Sequence, residues 1–244
     1  MGFHIFWELS AMEPAHKEDC QISAIVPAYN EAANILTVLE EIRKIRSISE
    51  ILVICDGCTD DTYQQVMDWG NAELVNLPTN QGKTRAVLAG VRQAKHDLVL
   101  LCDADLKNLQ ADDLSRMIGK YLEGYGMVIM EIGSQPWFFR NLLKSQPAVS
   151  GTRLLPKRHI EMIHYQVSDR YKFEVRVNDY FIREGLSIGI SPAPDVHDLR
   201  KYRKYPFWEG LALDIRCAVE VLTSDGLAKM IKVLRNFRRI AANT

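Results

Sequence analysis

The sequence predicts an α/β fold with a mainly parallel central sheet that is covered by helices on both faces. Short, continuously apolar segments alternate with segments of helical periodicity through the first half of the chain. Strands that are apolar throughout are typical of a parallel sheet buried on both faces. Polar motifs follow three of these segments, after Ala28, Ile54 and Cys102. Because ligands of such sheets bind at the carboxyl ends of the strands, the pattern also predicts where a site lies.

The individual elements follow from the spacing of the apolar residues, continuous for strands and three or four apart for helices. Strands are expected at five segments: 23–28, 51–55, 72–77, 98–102 and 127–132. Helices are expected at four segments: 31–46, 60–69, 82–94 and 111–123. In the less regular second half, Ser168 is expected to cap a helix that carries Phe173 and Phe181. After it we expect a strand at 186–190, a loop at 191–206, and helices at 207–222 and 227–242.

The composition is that of a globular protein and excludes several classes of function. With 244 residues, 47% of them hydrophobic, the chain can bury one substantial core. A formal net charge of -1 offers no basic face for a duplex, so no nucleic-acid partner is expected. No apolar run approaches the ~20 residues that span a bilayer. Residues 1–20 lack the basic start and long apolar core of a signal peptide, so we expect a cytoplasmic protein.

Five cysteines are scattered along the chain. An odd, dispersed set argues against a disulfide framework and for a reducing compartment. Cys55 and Cys58 form a CxxC pair, but a zinc site would need a second pair at ligand spacing, which the sequence lacks. The pair lies in an Asp-Gly turn, and we expect it to act as small apolar residues at a strand end rather than as a redox site.

Two polar motifs follow the first two strands. PAYNE at 27–31 supplies an aromatic ring that can stack on a base, and a carboxylate that can accept a hydrogen bond from a base or ribose. CDGCTDD at 55–61 combines a tight Asp-Gly turn with Thr59 or Asp60 as a helix cap. Asp56, at the strand end, can also reach a base or ribose. Turns and caps alone would explain either motif, so neither by itself establishes a site.

Two further motifs indicate a diphosphate and a metal. In NQGK at 80–83, Gly82 begins a helix and Lys83 lies in its first turn, where a cation is unfavourable unless an anion lies nearby. In DAD at 103–105, two carboxylates follow a fully apolar strand. One of them suffices to bind Mg²⁺ or Mn²⁺ bridging a diphosphate, while the other orients a ribose. Helix capping is the alternative for this pair.

Taken together, the four motifs resemble the nucleotide-binding half of family-2-like glycosyltransferases with the GT-A fold, both inverting and retaining. The resemblance lies in the order and spacing of PAYNE, CDGCTDD, NQGKTRA and DAD. The resemblance covers residues 21–132. The usual pair of aspartates in the second motif is here Cys55-Asp56, so only Asp56 is carried over. The resemblance implies that Asp103 lies near the ribose and sugar, and that Asp105 binds the divalent metal. The residues implied to bind the nucleotide are Pro27, Ala28, Tyr29, Glu31, Asp56, Gly82, Lys83, Asp103 and Ala104.

Three features of the second half resemble glucosyl-3-phosphoglycerate, mannosylglycerate and polyprenyl-phosphate sugar synthases. SGTR at 150–153 resembles their SG-x-R segment, which implies acceptor contacts from Gly151, Thr152 and Arg153, and we expect Arg153 to lie on a loop beside the sugar site. FEVRVN at 173–178 resembles their carboxylate-bearing helix and puts Glu174 near the sugar or acceptor, as the only candidate base for an inverting reaction. His197 lies on the loop after the last strand, where a histidine completes the metal shell in the phosphoglycerate-type and mannosylglycerate-type enzymes.

The expected organisation is one GT-A domain with four parts: an extension at 1–20, a nucleotide-sugar-binding half at 21–132, an acceptor-binding half at 133–206 and C-terminal helices at 207–244. The catalytic candidates are Asp103, Asp105 and Glu174, with Asp105 and His197 on the metal. The last helix is basic and amphipathic, so it either docks on the core or lies on an anionic membrane. The oligomeric state stays open.

Three classes of function compete. The favoured one is metal-dependent sugar transfer from a UDP- or GDP-sugar to a small phosphorylated or carboxylated acceptor, with transfer to a polyprenyl phosphate at the inner membrane face as its variant. A sugar-phosphate nucleotidylyltransferase is disfavoured, because GTRLLP at 151–156 lies mid-chain rather than after the first strand. A non-catalytic nucleotide-sugar-binding protein is opposed by intact Asp103 and Asp105, although Cys55 leaves it open.

Overall fold

The structure is a computed structural model that describes residues 20–133, 150–166, 169 and 172–198. Three expectations lie outside these residues: nearly all of the 1–20 extension, the Ser168 cap and the helices at 207–244. In the part of the chain that is described, no helix is long and apolar enough to cross a membrane.

A seven-stranded sheet forms the centre of the molecule, in the order β3-β2-β1-β4-β7-β6-β8. Its strands are β1 Ile22–Ala28, β2 Ile48–Asp56, β3 Glu73–Leu77, β4 Leu98–Leu101, β6 Met127–Ile132, β7 Arg153–Pro156 and β8 Ile188–Ala193. Only β7 runs antiparallel to its neighbours in this sheet. Two short strands, β5 Leu106–Lys107 and β9 His197–Asp198, pair in a separate antiparallel ribbon. The predicted mainly parallel sheet is confirmed.

Helices cover both faces of the sheet, as predicted. The described helices are α1 Ile35–Arg43, α2 Thr62–Trp69, α3 Lys83–Gln93, α4 Ala111–Tyr121, α5 Lys157–Glu161 and α6 Phe173–Arg183. Alternate residues of each central strand contribute to two separate apolar clusters. Ala24 and Val26 pack in the cluster that holds α1, α2 and α4, whereas Ile25 packs in the one that holds α3, α5 and α6. This two-sided burial explains the continuously apolar strands.

Some boundaries differ from those expected. The first helix begins at Ile35 rather than residue 31, because the chain turns at Asn30 (φ 56°) and the Glu31 amide donates to Thr62 Oγ1 at 2.7 Å. β8 covers residues 188–193 instead of 186–190, and β9 lies inside the predicted loop 191–206. β7 occupies the segment expected to be an acceptor loop. Each of these short strands is held by partners remote in sequence, which local periodicity does not reveal.

Gly90 allows α3 to approach β1 closely. A Cβ at this position would lie 2.4 Å from Ile25 Cγ2 and 3.3 Å from Ile54 Cγ1. Ile25 is fully buried in the strand, so the clash has little room to relax. We expect Gly90→Ala to lower the free energy of unfolding by about 1–3 kcal/mol, the usual cost of overpacking, although alanine is the better helix former.

Gly119 provides the matched control. It lies in α4, is exposed, and an added Cβ would meet nothing within 4 Å. Gly119→Ala should therefore raise the free energy of unfolding by up to ~1 kcal/mol, the propensity difference between the two residues. Urea denaturation followed by circular dichroism measures both variants. Equal stabilisation by the two substitutions would contradict the close approach of α3 to the sheet.

Candidate functional site

The polar motifs meet at one edge of the sheet, because β2, β1 and β4 are adjacent and parallel. Hydrogen bonds join the loops that follow β1 and β2. Asn30 Oδ1 accepts from the Thr59 amide at 2.8 Å, and Asp60 Oδ2 accepts from the Ala32 amide at 3.1 Å. These contacts hold the two loops in a defined conformation without a bound ligand.

The PAYNE residues line this edge in different ways. Pro27 and Ala28 end β1, and Tyr29 is 37% exposed at the rim, where its ring can contact a ligand. Glu31 is nearly buried, and its Oε2 accepts from Asn34 Nδ2 at 3.1 Å within the turn before α1. The structure therefore leaves the aromatic ring more accessible than the carboxylate.

Asp56 holds the segment that leads into α3. Its Oδ1 accepts from the Gln81 amide at 2.7 Å, and its Oδ2 accepts from the Gly82 amide at 2.8 Å. The next residue, Gly57, has φ 70°, and a Cβ there would lie 2.4 Å from the Asn80 backbone nitrogen. Sequence reasoning assigned Asp56 to a base or ribose. In the structure both carboxylate oxygens bind backbone amides, so Asp56 at least positions the start of α3.

The Lys83 ammonium lies between two carboxylates from distant parts of the chain. Its Nζ is 2.6 Å from Asp103 Oδ1 and 2.8 Å from Glu174 Oε1. Three of the predicted site residues, carried by α3, by the turn after β4 and by α6, are thus brought together. The anion expected beside a cation in the first turn of a helix is supplied by the protein. Burial alone would lower the pKa of Lys83, but the two carboxylates outweigh it and raise the pKa, so the amine stays protonated.

Gly151 packs against this ion-pair cluster of Lys83, Asp103 and Glu174. A Cβ on Gly151 would lie 2.1 Å from Lys83 Nζ and 2.3 Å from Asp103 Oδ2. Any side chain here would displace atoms of the cluster. The SG-x-R segment therefore meets the nucleotide motifs directly, and Gly151 is the point of contact.

Arg153 lies in β7 and is fully buried, so its expected place on a loop is wrong. Its Nε donates to the Ser150 carbonyl at 2.8 Å, and its Nη1 donates to Asn178 Oδ1 at 2.6 Å. Burial lowers the pKa of Arg153 to about 10, against the opposing effect of Glu174 and Asp103. Asn178 lies one turn after Glu174 on α6, so the guanidinium helps to hold that helix against β7. The adjacent Thr152 is also fully buried.

Asp105 and His197 are brought to the same part of the molecule by the β5–β9 ribbon. Asp105 immediately precedes β5, and Lys107 pairs with His197. His197 Nδ1 donates to the Asp195 carbonyl at 3.2 Å, which leaves the lone pair of a neutral ring on Nε2. A histidine that binds a metal usually donates a hydrogen bond from its other ring nitrogen to a carbonyl or carboxylate.

The residues present fit a metal that is shared with a substrate. Within the described ranges, no group of three or more His, Cys, Asp or Glu residues could hold a metal by itself. An ion of the Mg²⁺ type that bridges phosphates needs only one or two protein ligands, because phosphate oxygens and water complete its shell. Asp105 and His197 offer one carboxylate and one imidazole for such an ion, whereas a site built only from protein ligands is not found among the described residues.

Sequence reasoning missed Asn178, Gly57 and Tyr165. Asn178 was detectable, because it stands four residues after Glu174 on a predicted helix and so shares its face. Gly57 was seen only as a turn residue, although its contact is with residues 79 and 80. Tyr165 stacks on Phe173, with ring centroids 5.8 Å apart, and the sequence carries no signal for that contact.

Solved structures share this fold. Glucosyl-3-phosphoglycerate synthase from Mycobacterium tuberculosis, in complex with Mn²⁺, uridine diphosphate and phosphoglyceric acid, matches with a TM-score of 0.69 at 21% identity. The match covers 89% of this chain and 84% of that one. At this identity the likeness establishes the GT-A fold, which confirms the predicted fold class.

Sequence relatives point the same way. CsbB, a glycosyltransferase by name from Bacillus subtilis, is 35% identical over 133 residues, which are 51% of this chain and 40% of CsbB. The undecaprenyl-phosphate 4-deoxy-4-formamido-L-arabinose transferase of Aeromonas hydrophila is 26% identical over 204 residues, which are 74% of this chain and 62% of that protein. The chain thus spans less than two thirds of the length of either relative. Residues 23–183 match the profile of glycosyl transferase family 2, which is more than half of the chain. The chain belongs to glycosyl transferase family 2.

Proposed function

We propose that this chain transfers a sugar from a nucleoside-diphosphate sugar to an acceptor, with a divalent metal as cofactor. The observation that carries the proposal is the meeting of Lys83, Asp103 and Glu174 at the carboxyl edge of the sheet. This cluster stands beside the turn that carries Asp105, and it joins residues of the nucleotide half, 21–132, to residues of the acceptor half, 133–206. Membership of glycosyl transferase family 2 supports the reaction class.

The donor site is formed by the loops after β1 and β2 and by the start of α3. Tyr29 offers a face on which a base can stack, with Pro27, Ala28 and Glu31 around it. Asp56 fixes the amides of Gln81 and Gly82, so the start of α3 is preformed before a ligand arrives. Ala104 and Asp103 border the ribose and sugar. We take UDP as the first donor to test, because the structural relative from Mycobacterium tuberculosis was solved with uridine diphosphate; a GDP-sugar is the second.

Lys83 is the group proposed to bind the diphosphate of the donor. In the structure its charge is shared by two carboxylates, which offsets the cost of holding an ammonium in the first turn of α3. A diphosphate that binds beside Lys83 becomes a third anionic partner of the ammonium. Because the ammonium is already held in place, it can stabilise the negative charge on the nucleoside diphosphate as that group leaves. Asp105 and His197 would hold the metal, which neutralises negative charge on that diphosphate when bound.

Glu174 is the proposed group on the acceptor side. Its side chain is only 10% exposed and is held by Lys83, at 2.8 Å, in the first turn of α6. A carboxylate fixed in this way can accept a proton from an acceptor hydroxyl if the reaction inverts the sugar. Gly151 packs against Lys83 and Asp103, and the buried Thr152 follows it in the chain. Arg153 keeps its proposed acceptor-side role, but its burial and its bond to Asn178 mean that it acts by supporting α6 and its Glu174.

The metal prediction concerns Asp105. Titration of UDP into the wild-type protein should give a higher affinity with Mn²⁺ than with EDTA, and Asp105→Ala should remove that difference. The reason is that Asp105 supplies a hard carboxylate ligand which a diphosphate alone does not replace. Asp97→Ala is the matched control, since the Asp97 side chain is fully exposed and precedes β4, at the end of the strand opposite to the one that Asp105 follows. Equal wild-type affinity with Mn²⁺ and with EDTA would contradict a metal-dependent donor site.

The diphosphate prediction concerns Lys83. Lys83→Met keeps the length of the side chain and removes its charge, so UDP binding should weaken by about 1.5–3 kcal/mol, the usual value of a charged hydrogen bond. Isothermal calorimetry measures the affinity, and thermal unfolding checks the fold. Lys44→Met is the control, because Lys44 forms only an exposed surface pair with Glu41. Unchanged affinity in the Lys83 variant would put the diphosphate elsewhere.

The acceptor prediction separates two sources of acceptor phosphate. We propose a small phosphorylated or carboxylated acceptor, so UDP-sugar consumption should increase with phosphoglyceric acid and not with vesicles that carry undecaprenyl phosphate. Glu174→Gln should lower that transfer by a factor of about 10²–10⁴, the usual contribution of a general base, while UDP affinity changes little. Transfer only in the vesicle arm would overturn the soluble-acceptor assignment and favour undecaprenyl phosphate, the acceptor in the name of the relative from Aeromonas hydrophila.

A further inference from the structure

Cys55 and Cys58 enclose the Asp56-Gly57 turn at the nucleotide edge. Cys55 is fully buried near the end of β2, between Ala28 of β1 and Asn76 of β3. Cys58 is half-buried in the loop that follows, and its thiol donates to the Ala28 carbonyl at 3.4 Å. Ala28 is also the residue that pairs with Cys55 in the register of β1 and β2, so both cysteines lie around Ala28. Both thiols are free in the structure.

The two thiols differ in reactivity. The hydrogen bond from Cys55 lowers the pKa of Cys58 against the opposing effect of burial, and a backbone hydrogen bond from Asn30 lowers it further. The same pairing, together with burial, raises the pKa of Cys55. Since the thiolate is the nucleophile, Cys58 is the thiol that attacks first, and the buried Cys55 is placed to resolve the product. Cys20 and Cys102 differ from Cys58, because burial raises the pKa of both thiols.

The turn between the cysteines supports the segment that leads into α3. Asp56 binds the amides of Gln81 and Gly82, and a Cβ on Gly57 would lie 2.4 Å from the Asn80 nitrogen and 2.6 Å from the Thr79 carbonyl carbon. This segment, residues 79–82, directly precedes Lys83. A change of conformation at 55–58 is therefore passed to 79–82 by backbone contact.

We propose that Cys55 and Cys58, which the sequence led us to expect only as small apolar residues, form a reversible disulfide that displaces residues 79–82 and weakens diphosphate binding at Lys83. The effect on binding rests on the donor site proposed above; disulfide formation and loop displacement do not. A disulfide in a reducing compartment is typically transient and regulatory. The turn at the nucleotide edge would then act as a thiol switch on donor binding.

The chemistry balances with a small-molecule disulfide such as glutathione disulfide as oxidant. The Cys58 thiolate attacks one sulfur of the oxidant and releases one glutathione thiolate, which leaves a mixed disulfide on Cys58. Cys55, after losing its proton, attacks the Cys58 sulfur and releases the second glutathione. The two cysteines lose two electrons and two protons, and one glutathione disulfide becomes two molecules of glutathione.

Closure of the disulfide must move Cys58. A sulfur–sulfur bond is about 2.05 Å long, which is much shorter than any non-bonded contact between two thiols. Cys55 is fixed by the pairing of β2 with β1 and β3, so Cys58 makes the movement and gives up its bond to the Ala28 carbonyl. The Asp56-Gly57 turn twists with it. Gly57 has no free space on the side of residues 79 and 80, so those residues shift.

The test uses the full chain, first reduced and then treated with glutathione disulfide. Trypsin releases both cysteines in one peptide, Ser47–Lys83, which contains no other cysteine. Its mass should fall by two hydrogen atoms after oxidation and recover after reduction. Hydrogen–deuterium exchange at residues 79–82 should become at least tenfold faster in the oxidised protein. UDP affinity should fall about tenfold and return on reduction.

Two variants sharpen the test. Cys58→Ser keeps a hydroxyl that can donate to the Ala28 carbonyl, and it should resist oxidation in all three measurements. Cys20→Ser removes a half-buried thiol outside the site and should behave as the wild type does. If Cys58→Ser does not fold, the wild-type peptide mass and exchange rates still decide the proposal.

The proposal is overturned if the 47–83 peptide keeps both thiols, or if the disulfide forms and exchange at 79–82 is unchanged. It is also overturned if oxidation alters exchange but leaves UDP affinity the same. A reduced wild-type protein that binds no UDP would instead contradict the donor site, while peptide mass and exchange would still report on the disulfide.

Discussion

The shared ion pair of Lys83 with Asp103 and Glu174 is the interaction on which the arrangement of the site depends. It joins the first turn of α3, the turn after β4 and the first turn of α6. Removing Lys83 would leave two partly buried carboxylates side by side without their counterion, which is costly in a protein interior. The cluster therefore fixes α6 against α3 and the end of β4, and it does so at the edge where ligands of parallel sheets bind.

Glycine residues in the backbone around the cluster leave the space that its side chains need. Gly151 leaves the space that Lys83 Nζ and Asp103 Oδ2 occupy, and Gly90 lets α3 lie close to β1. Gly82, with φ 92°, begins α3 in a conformation that other residues rarely adopt. Together, these three glycines allow the first turn of α3, which carries Lys83, to lie beside the end of β4.

A separate ribbon carries the proposed metal ligands. β5 and β9 lie outside the main sheet, and their pairing brings Asp105 and His197 to the same part of the molecule. Leu106 of β5 and Val196, next to β9, are buried in the core cluster that holds α1 and α4, so the ribbon is anchored to the core. A metal that binds both Asp105 and His197, together with a donor diphosphate, would add a further link between the two strands.

The sequence by itself determined the layered α/β fold, because the local spacing of apolar residues identifies both the continuously apolar strands and the amphipathic helices. It also determined that PAYNE, the Asp-Gly turn, Lys83 and DAD meet, since motifs at the carboxyl ends of parallel strands share one edge. Only the tertiary structure decided that Asp56 binds the amides of residues 81 and 82 and that Arg153 is buried against Asn178. β7 and β9 likewise come from pairing with residues far away in the chain. Local periodicity carries information about an element and its buried face, whereas the partner of a buried polar group is set by which distant segments the fold brings beside it.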